Sequence, residues 1–170
     1  MDRLIVVGVC CLCSFTSLAA VAQEKPAKMK FAQKTVTQNG IEMFACLSAE
    51  NTAGSAVNLN LAVENKSKEK AEFFSRGKYW DYDLKVLDSK GRPVPLTLFG
   101  KVAYGDARTI GGSGLEEALA PGKQMKETLN IARVFDLSQE GEYTLTVRMR
   151  IGKSDLKIEN MTFKVKEEPR

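Results

Sequence analysis

The sequence predicts an all-β protein, an antiparallel sandwich of seven or eight strands that holds together without a disulfide. Three observations carry that expectation. Apolar residues recur with a period of two rather than the roughly 3.6 of a helix. Turn-forming residues punctuate these runs at intervals typical of a sandwich. No long stretch shows the amphipathic spacing of a helix.

Read in order along the 170 residues, the first segment stands apart. "LIVVGVCCLCSFTSLAA" is apolar and uncharged, and Ala20-Val21-Ala22 supplies a small-x-small cleavage pattern. Residues 1–22 therefore read as a signal peptide, with the mature chain starting near Gln23 and the protein secreted or periplasmic. The apolar run is shorter than the roughly 20 residues a membrane span needs, so no span is expected after cleavage. Residues 23–30, "QEKPAKMK", are a polar leader, and 31–167 form one domain. Cleavage removes three of the four cysteines. Only Cys46 stays, which rules out an internal disulfide and leaves a thiol expected to be buried as a small hydrophobe.

Within the domain, Asn39-Gly40 separates 31–37 from 41–48, a strong cue for a tight hairpin. "VNLNLAV" sets Val57, Leu59, Leu61 and Val63 on one face. In "WDYDLKV" the alternation places Trp80, Tyr82, Leu84 and Val86 inward and Asp81, Asp83 and Lys85 outward. "DSKGRP" (88–93) closes that strand. The segment 99–114 is the least regular, glycine-rich at its end, and reads as a loop. Pro121-Gly122 precedes a strand at 123–131, and 132–138 suits a short 3₁₀ turn with Asp136 or Ser138 capping it. "YTLTVRMRI" then buries Tyr143, Leu145, Val147, Met149 and Ile151. In the last strand the phase slips between Ile158 and Met161, so a bulge is expected near Asn160.

The corner before "YTLTVRMRI" refines the fold class. A strand, a corner at 133–141 and a tyrosine opening the next strand follow the order of strands E and F in immunoglobulin-like sandwiches, where that tyrosine's hydroxyl pins the corner. Tyr143 is assigned that role, Gly141 the role of permitting the turn, and Trp80 the core position on strand C. Leu145 stands where antibody-type domains carry cysteine, so the expected domain is immunoglobulin-like without the disulfide.

A family resemblance rests on these residues. "LAPGKQMKETLNIARVFDLSQEGEYTLTV" (119–147) resembles the end of the β-sandwich domain that precedes the catalytic domain of deuterolysin-type metalloendopeptidases. "LAVENKSKEKAEFF" with "YDLKVLDSKGRPVPLTLFG" is similar to small secreted bacterial immunoglobulin-like proteins of unassigned function, and it resembles the intracellular proteinase inhibitor family of bacilli. The resemblance implies a sandwich over about 60–165. It does not carry peptidase activity, which needs a histidine-based zinc site, and the chain has no histidine.

That composition excludes more chemistry. Without histidine there is no Ser-His-Asp or Cys-His arrangement, and the commonest metal ligand and general base are missing. "GGSG" (111–114) fits neither a phosphate loop nor a nucleophile elbow. Asp81, Asp83 and Asp88 lack calcium-loop spacing and read as solvated residues. The sequons at Asn65 and Asn160 read as chance. The formal charge of +4 is spread out, with no run of five or six like charges, which argues against nucleic acid as a partner. The expected function is a non-catalytic binding or scaffold module of the cell envelope, without catalytic residue, metal or cofactor, whose partner is a protein or an envelope polymer. Its candidate contact face is basic: Arg148, Arg150, Lys164 and Lys166. The alternatives are a protease inhibitor presenting the 99–114 loop and, less favoured, a hydrolase using carboxylates alone.

Overall fold

The structure, a computed structural model, describes residues 31–105 and 114–167. The expected signal peptide and leader, and 106–113 of the 99–114 loop, lie outside these residues. The described chain is all-β, with ten strands: β1 (Phe31–Gln38), β2 (Ile41–Ser48), β3 (Glu50–Thr52), β4 (Asn58–Asn65), β5 (Ala71–Ser75), β6 (Tyr82–Asp88), β7 (Leu115–Leu119), β8 (Gln124–Asn130), β9 (Gly141–Ile151) and β10 (Ser154–Lys166). One sheet has the order β1-β2-β4-β8, a second β3-β10-β9-β6, and β5 pairs with β7 in a two-stranded ribbon. Ten strands replace the expected seven or eight, the additions being the short β3 and the β5–β7 ribbon. The order β6-β9-β10 is that of strands C, F and G in an immunoglobulin-like sandwich.

The alternating residues explain this layering. Met43, Ala45, Leu47, Leu59, Leu61, Val63 and Leu129 of the first sheet are buried, and so are Leu84, Val86, Leu145, Val147, Met149, Leu156, Ile158, Met161 and Phe163 of the second. They belong to one contiguous cluster. At ~25 cal/mol per Å² of apolar surface removed from water, that shared core is what offsets chain entropy without a cross-link. Asn39 and Gly40 both hold positive φ, 49° and 75°, the geometry of a two-residue hairpin turn whose twist matches its strands. The chain then switches sheets: β2 belongs to the first, whereas β3 pairs in parallel with β10 of the second. The Asn51 amide secures the crossing by donating to Ser48 O at 2.9 Å. On the same side β1 is stitched to β10 by side chains, with Lys34 Nζ donating to Glu159 O at 2.7 Å and Ser154 Oγ to Gln38 O at 3.0 Å. The ladder of β9 and β10 shifts register between Ile158 and Met161, where Asn160 has a φ of 56°.

The corner before β9 is built from side-chain and backbone bonds. Asn130 caps a 3₁₀ turn over Ile131–Arg133 by accepting from Ala132 N, and Asp136 Oδ1 accepts from Ser138 N at 3.2 Å. The Tyr143 hydroxyl donates to Gln139 O at 2.8 Å while its ring stacks on Phe163, centroids 5.5 Å apart.

Several expectations need correction. Gly141 does not need to be glycine for conformational reasons. It lacks a positive φ, opens β9 in register with Val165, and a Cβ there would meet only the Tyr143 ring at 3.6 Å. Trp80 is not a core residue: it is 38% exposed, and Tyr79 and Tyr82 are buried instead. The reason is that strand β6 starts only at Tyr82, so its alternation does not extend back to residue 80. Cys46 is half-buried rather than buried; it alternates out of phase with Met43, Ala45 and Leu47 and takes the outer face of β2. Residues 99–104 of the expected 99–114 loop belong to a short helix, α1 (Leu98–Tyr104), capped by Thr97, whose Oγ1 accepts from Gly100 N at 3.0 Å.

Candidate functional site

The sequence-predicted basic face divides into two places. Arg148 pairs across the sheet with Asp83 on β6 and Lys157 on β10. Lys164 lies opposite Glu142, six residues further along β9, which is about 20 Å at a strand rise of ~3.4 Å per residue. Each cation has an acid nearby. Arg148 makes a two-point bond to Asp155, with Nε to Oδ1 at 2.6 Å and Nη2 to Oδ2. Arg150 Nε is 3.9 Å from Asp155, Lys164 is 3.5 Å from Glu142, and Lys166 is 2.7 Å from Glu50. Register sets Asp83 opposite Arg148, Asp155 opposite Arg150 and Glu142 opposite Lys164, so that, apart from Lys157 opposite Arg148, the face is mixed in sign instead of being basic. The Arg148 guanidinium holds the Asp155 carboxyl below its ordinary value.

Arg148 and Arg150 instead line a shallow cleft of about 290 Å³ with residues from another part of the chain. Phe74, at the end of β5, forms one wall and is 57% exposed. Beyond it, residues 75–81 turn sharply back. Gly77 has a φ of 106°, a conformation glycine adopts without steric penalty, and its carbonyl accepts from Trp80 N at 2.8 Å. Asp81 closes the turn, with Oδ1 accepting from Arg76 N at 2.7 Å and Oδ2 from Ser75 Oγ at 2.8 Å. The turn carries Arg76, Trp80 and Asp81 to the cleft, and β6 adds Asp83.

Trp80 is supported from behind. Its ring meets Phe99 of α1 edge-on at 6.3 Å, and Phe99 meets Tyr79 likewise at 5.1 Å. The Arg133 guanidinium lies 4.1 Å from the centre of the Phe99 ring, a cation–π contact. The exposed tryptophan is therefore braced by an aromatic and cationic stack. Sequence reasoning missed Phe74 and Arg76 and misplaced Trp80. The signal that was there is "SRGK" (75–78), a glycine-centred turn directly before the strand.

The other singled-out residues do not join the cleft. Tyr143 and Gly141 border a separate hollow at the corner, with Asp88 and Arg92. Asn65, in one sequon, is fully buried and hydrogen-bonded to Glu69 O and Leu119 O, so it is a structural residue. Among the described residues no group of three or more acidic, cysteine or histidine side chains could hold a metal ion, and no helix is long and apolar enough to cross a membrane.

Comparison with known proteins gives little to set beside this geometry. No family model matches the chain, and no curated protein does. Among solved structures, a β-glucosidase from Listeria innocua in complex with isofagomine aligns over 83% of this chain and 16% of its own, at 16% identity and a TM-score of 0.40. A conserved hypothetical protein from Bacillus anthracis aligns over 78% of this chain and 99% of its own, at 10% identity and a TM-score of 0.32. This chain thus spans about one sixth of the β-glucosidase, and neither likeness bears on ligand or chemistry.

Proposed function

We propose that this protein is a non-catalytic binding module of the cell envelope, secreted or periplasmic, and that it engages a protein or polymer there through the cleft between Phe74, Trp80 and Arg150. The observation that carries the reading is the exposure of Phe74 and Trp80 beside Asp81 and Arg148, whose side chains neighbouring groups hold in place. Two partly exposed aromatic rings lining one cleft with charged side chains, outside the shared core, are more than a fold requires. Contact residues of this kind, aromatic anchors beside arginine, dominate binding energy at interfaces. The absence of histidine from the chain favours binding over hydrolysis, and the apolar segment at 1–22 favours an extracytoplasmic site of action.

Co-sedimentation with insoluble envelope material tests this. The wild-type protein should pellet with the material, and Trp80→Ala with Arg150→Ala should stay in the supernatant while keeping the wild-type circular dichroism. Equal retention of both proteins removes the cleft from the reading. Turnover of an envelope polymer by the purified protein would overturn the non-catalytic assignment.

A further inference from the structure

Charge balance and side-chain chemistry narrow what the cleft takes. Arg76, Arg148 and Arg150 line the cleft with Asp81 and Asp83, and Asp155, outside the lining, is paired with Arg148 and Arg150. The lining carries three cations and two anions, and with Asp155 beside two of the cations the net charge is too small to concentrate a charged partner strongly. An acidic polymer would gain at the guanidinium groups and lose at the carboxylates, and a basic one the reverse.

A neutral ligand rich in hydroxyls meets no such conflict. Each hydroxyl can donate to a carboxylate and accept from a guanidinium, and the cleft alternates the two. Asp83 faces Arg148 across one row of the ladder, and Asp155 faces Arg150 across the next. The two-point Asp155 bond fixes the plane of the Arg148 guanidinium, so little side-chain entropy is left to lose on binding. The aromatic walls supply the rest. The C–H faces of a pyranose ring are apolar, and they stack on ring faces such as those of Trp80 and Phe74.

We infer that the cleft binds a neutral glycan, with a pyranose unit stacked on Trp80 and Phe74 and its hydroxyls bridged by Asp83, Arg148 and Arg150. This rests on the cleft being the binding surface proposed above. A volume of about 290 Å³ is near the lower limit of small-molecule sites and suits a short segment of chain rather than the surface of a folded protein.

Trp80 is the single tryptophan of the sequence, so its fluorescence reports directly on the cleft. The full chain is titrated with cellohexaose, mannohexaose, galactohexaose and chitohexaose, and in parallel with polygalacturonate and poly-glutamate. At least one neutral oligosaccharide should shift the emission, with an affinity that changes less than about twofold between roughly 50 and 500 mM NaCl. Arg148→Ala and Asp83→Ala should each weaken that binding by about tenfold, a loss typical of one well-placed charged hydrogen-bonding group. Response to the acidic polymers alone, fading with salt, would overturn the neutral glycan and leave the cleft as a contact surface. No response to any probe would likewise overturn it, and envelope retention that still depends on Trp80 and Arg150 would then preserve the broader reading. Neutral-sugar binding that survives both substitutions unchanged would place the glycan outside the cleft and overturn the inference.

Discussion

Asn65→Asp alters the polar knot that joins β4 to both of its neighbouring loops, and it changes one group by almost no volume. Asn65 is fully buried. Its Nδ2 donates to Glu69 O at 2.8 Å and to Leu119 O at 2.7 Å, and its Oδ1 accepts from Ser67 N at 3.0 Å and Ser67 Oγ at 2.6 Å. All its hydrogen-bonding capacity is thus used, and its backbone also holds the Pro121-Gly122 turn, accepting from Gly122 N at 2.7 Å. Aspartate keeps the two bonds to Ser67 but turns an oxygen toward two carbonyls. The bond to Leu119 O is buried, so its loss carries the full penalty of an unsatisfied group, about 1–3 kcal/mol. The Glu69 carbonyl belongs to an exposed residue that water can reach, so its loss counts only about 0.5–1.5 kcal/mol. The expected total is roughly 1.5–4.5 kcal/mol at neutral pH, before repulsion between the new carboxylate and the carbonyls. Urea denaturation followed by Trp80 emission should show the midpoint falling by about 1–2 M with an unchanged slope, taking a slope of ~2 kcal/mol/M. Burial against two carbonyls raises the aspartate's folded pKa above its unfolded value, and protonation restores one donor, so the deficit should shrink as pH falls from neutral toward about 4 and change no further below it. Ser67→Ala is the control: Asn65 Oδ1 still accepts from Ser67 N, and the cost should stay near 1 kcal/mol. An Asn65→Asp protein within about 0.5 kcal/mol of wild type would refute the reasoning.

Three further expectations follow from particular contacts. Tyr143→Phe removes the bond to Gln139 O but keeps the ring on Phe163; stability should drop by about 1 kcal/mol, a melting-point loss of a few degrees, and an unchanged melting point would show that the hydroxyl does not clasp the corner. Gly100→Ala and Gly141→Ala should differ in sign: a Cβ on Gly100 would stand 2.1 Å from Val134 O, so alanine there should cost about 1–3 kcal/mol despite its helix propensity, whereas at Gly141 it should be neutral or stabilise by up to about 1 kcal/mol. Asp88, Asp136 and Asp155 are all held below the ordinary carboxylate value, chiefly by the Arg92 backbone N–H, by Ser138 and by Arg148 respectively. Their contribution is complete above the unfolded carboxylate value and is lost as pH falls through the lower folded one, so stability should fall below about pH 4. Asp155→Asn should flatten that fall, and identical acid profiles for the two proteins would count against it.

Much of the frame was legible because burial on one face forces alternation. "YTLTVRMRI" could be placed inward or outward residue by residue, Asn39-Gly40 marked its hairpin, and the parity break at Asn160 marked the bulge. Trp80 failed because alternation is informative only inside a strand, and residues 75–81 are a turn fixed by Asp81 and Gly77. Cys46 failed for the opposite reason. Its parity against Met43, Ala45 and Leu47 already pointed outward, but the general tendency of free cysteine to be buried was given more weight than its own strand. The β5–β7 ribbon pairs segments about forty residues apart, with Glu72, Glu116 and Glu117 opposite Ala118, Phe74 and Phe73, so neither segment alternates cleanly between apolar and polar. The cleft was illegible for a related reason. Phe74 and Arg150 share no motif, and whether Arg148 meets an acid or another base depends on register that one strand cannot specify.

The cleft itself is a consequence of unequal strand lengths. Strand β9 runs from Gly141 to Ile151, but β6 begins at Tyr82, opposite Met149. The last turn of the pleat on β9, which includes Arg150, therefore has a partner on β10 and none on β6. The sheet ends in a step, and the 75–81 turn crosses beside it carrying Trp80. Because this step lies outside the shared core, its outward side chains contribute little to the packing that holds the two sheets together. Arg150 is 74% exposed at its side chain, and exposed ion pairs of this kind are worth at most about 1 kcal/mol. Substitutions at Arg150 and Trp80 should therefore leave the protein folded. Loss of binding in those variants then reports on the cleft, where the same loss after replacing Asn65 or Tyr143 would report on the sandwich.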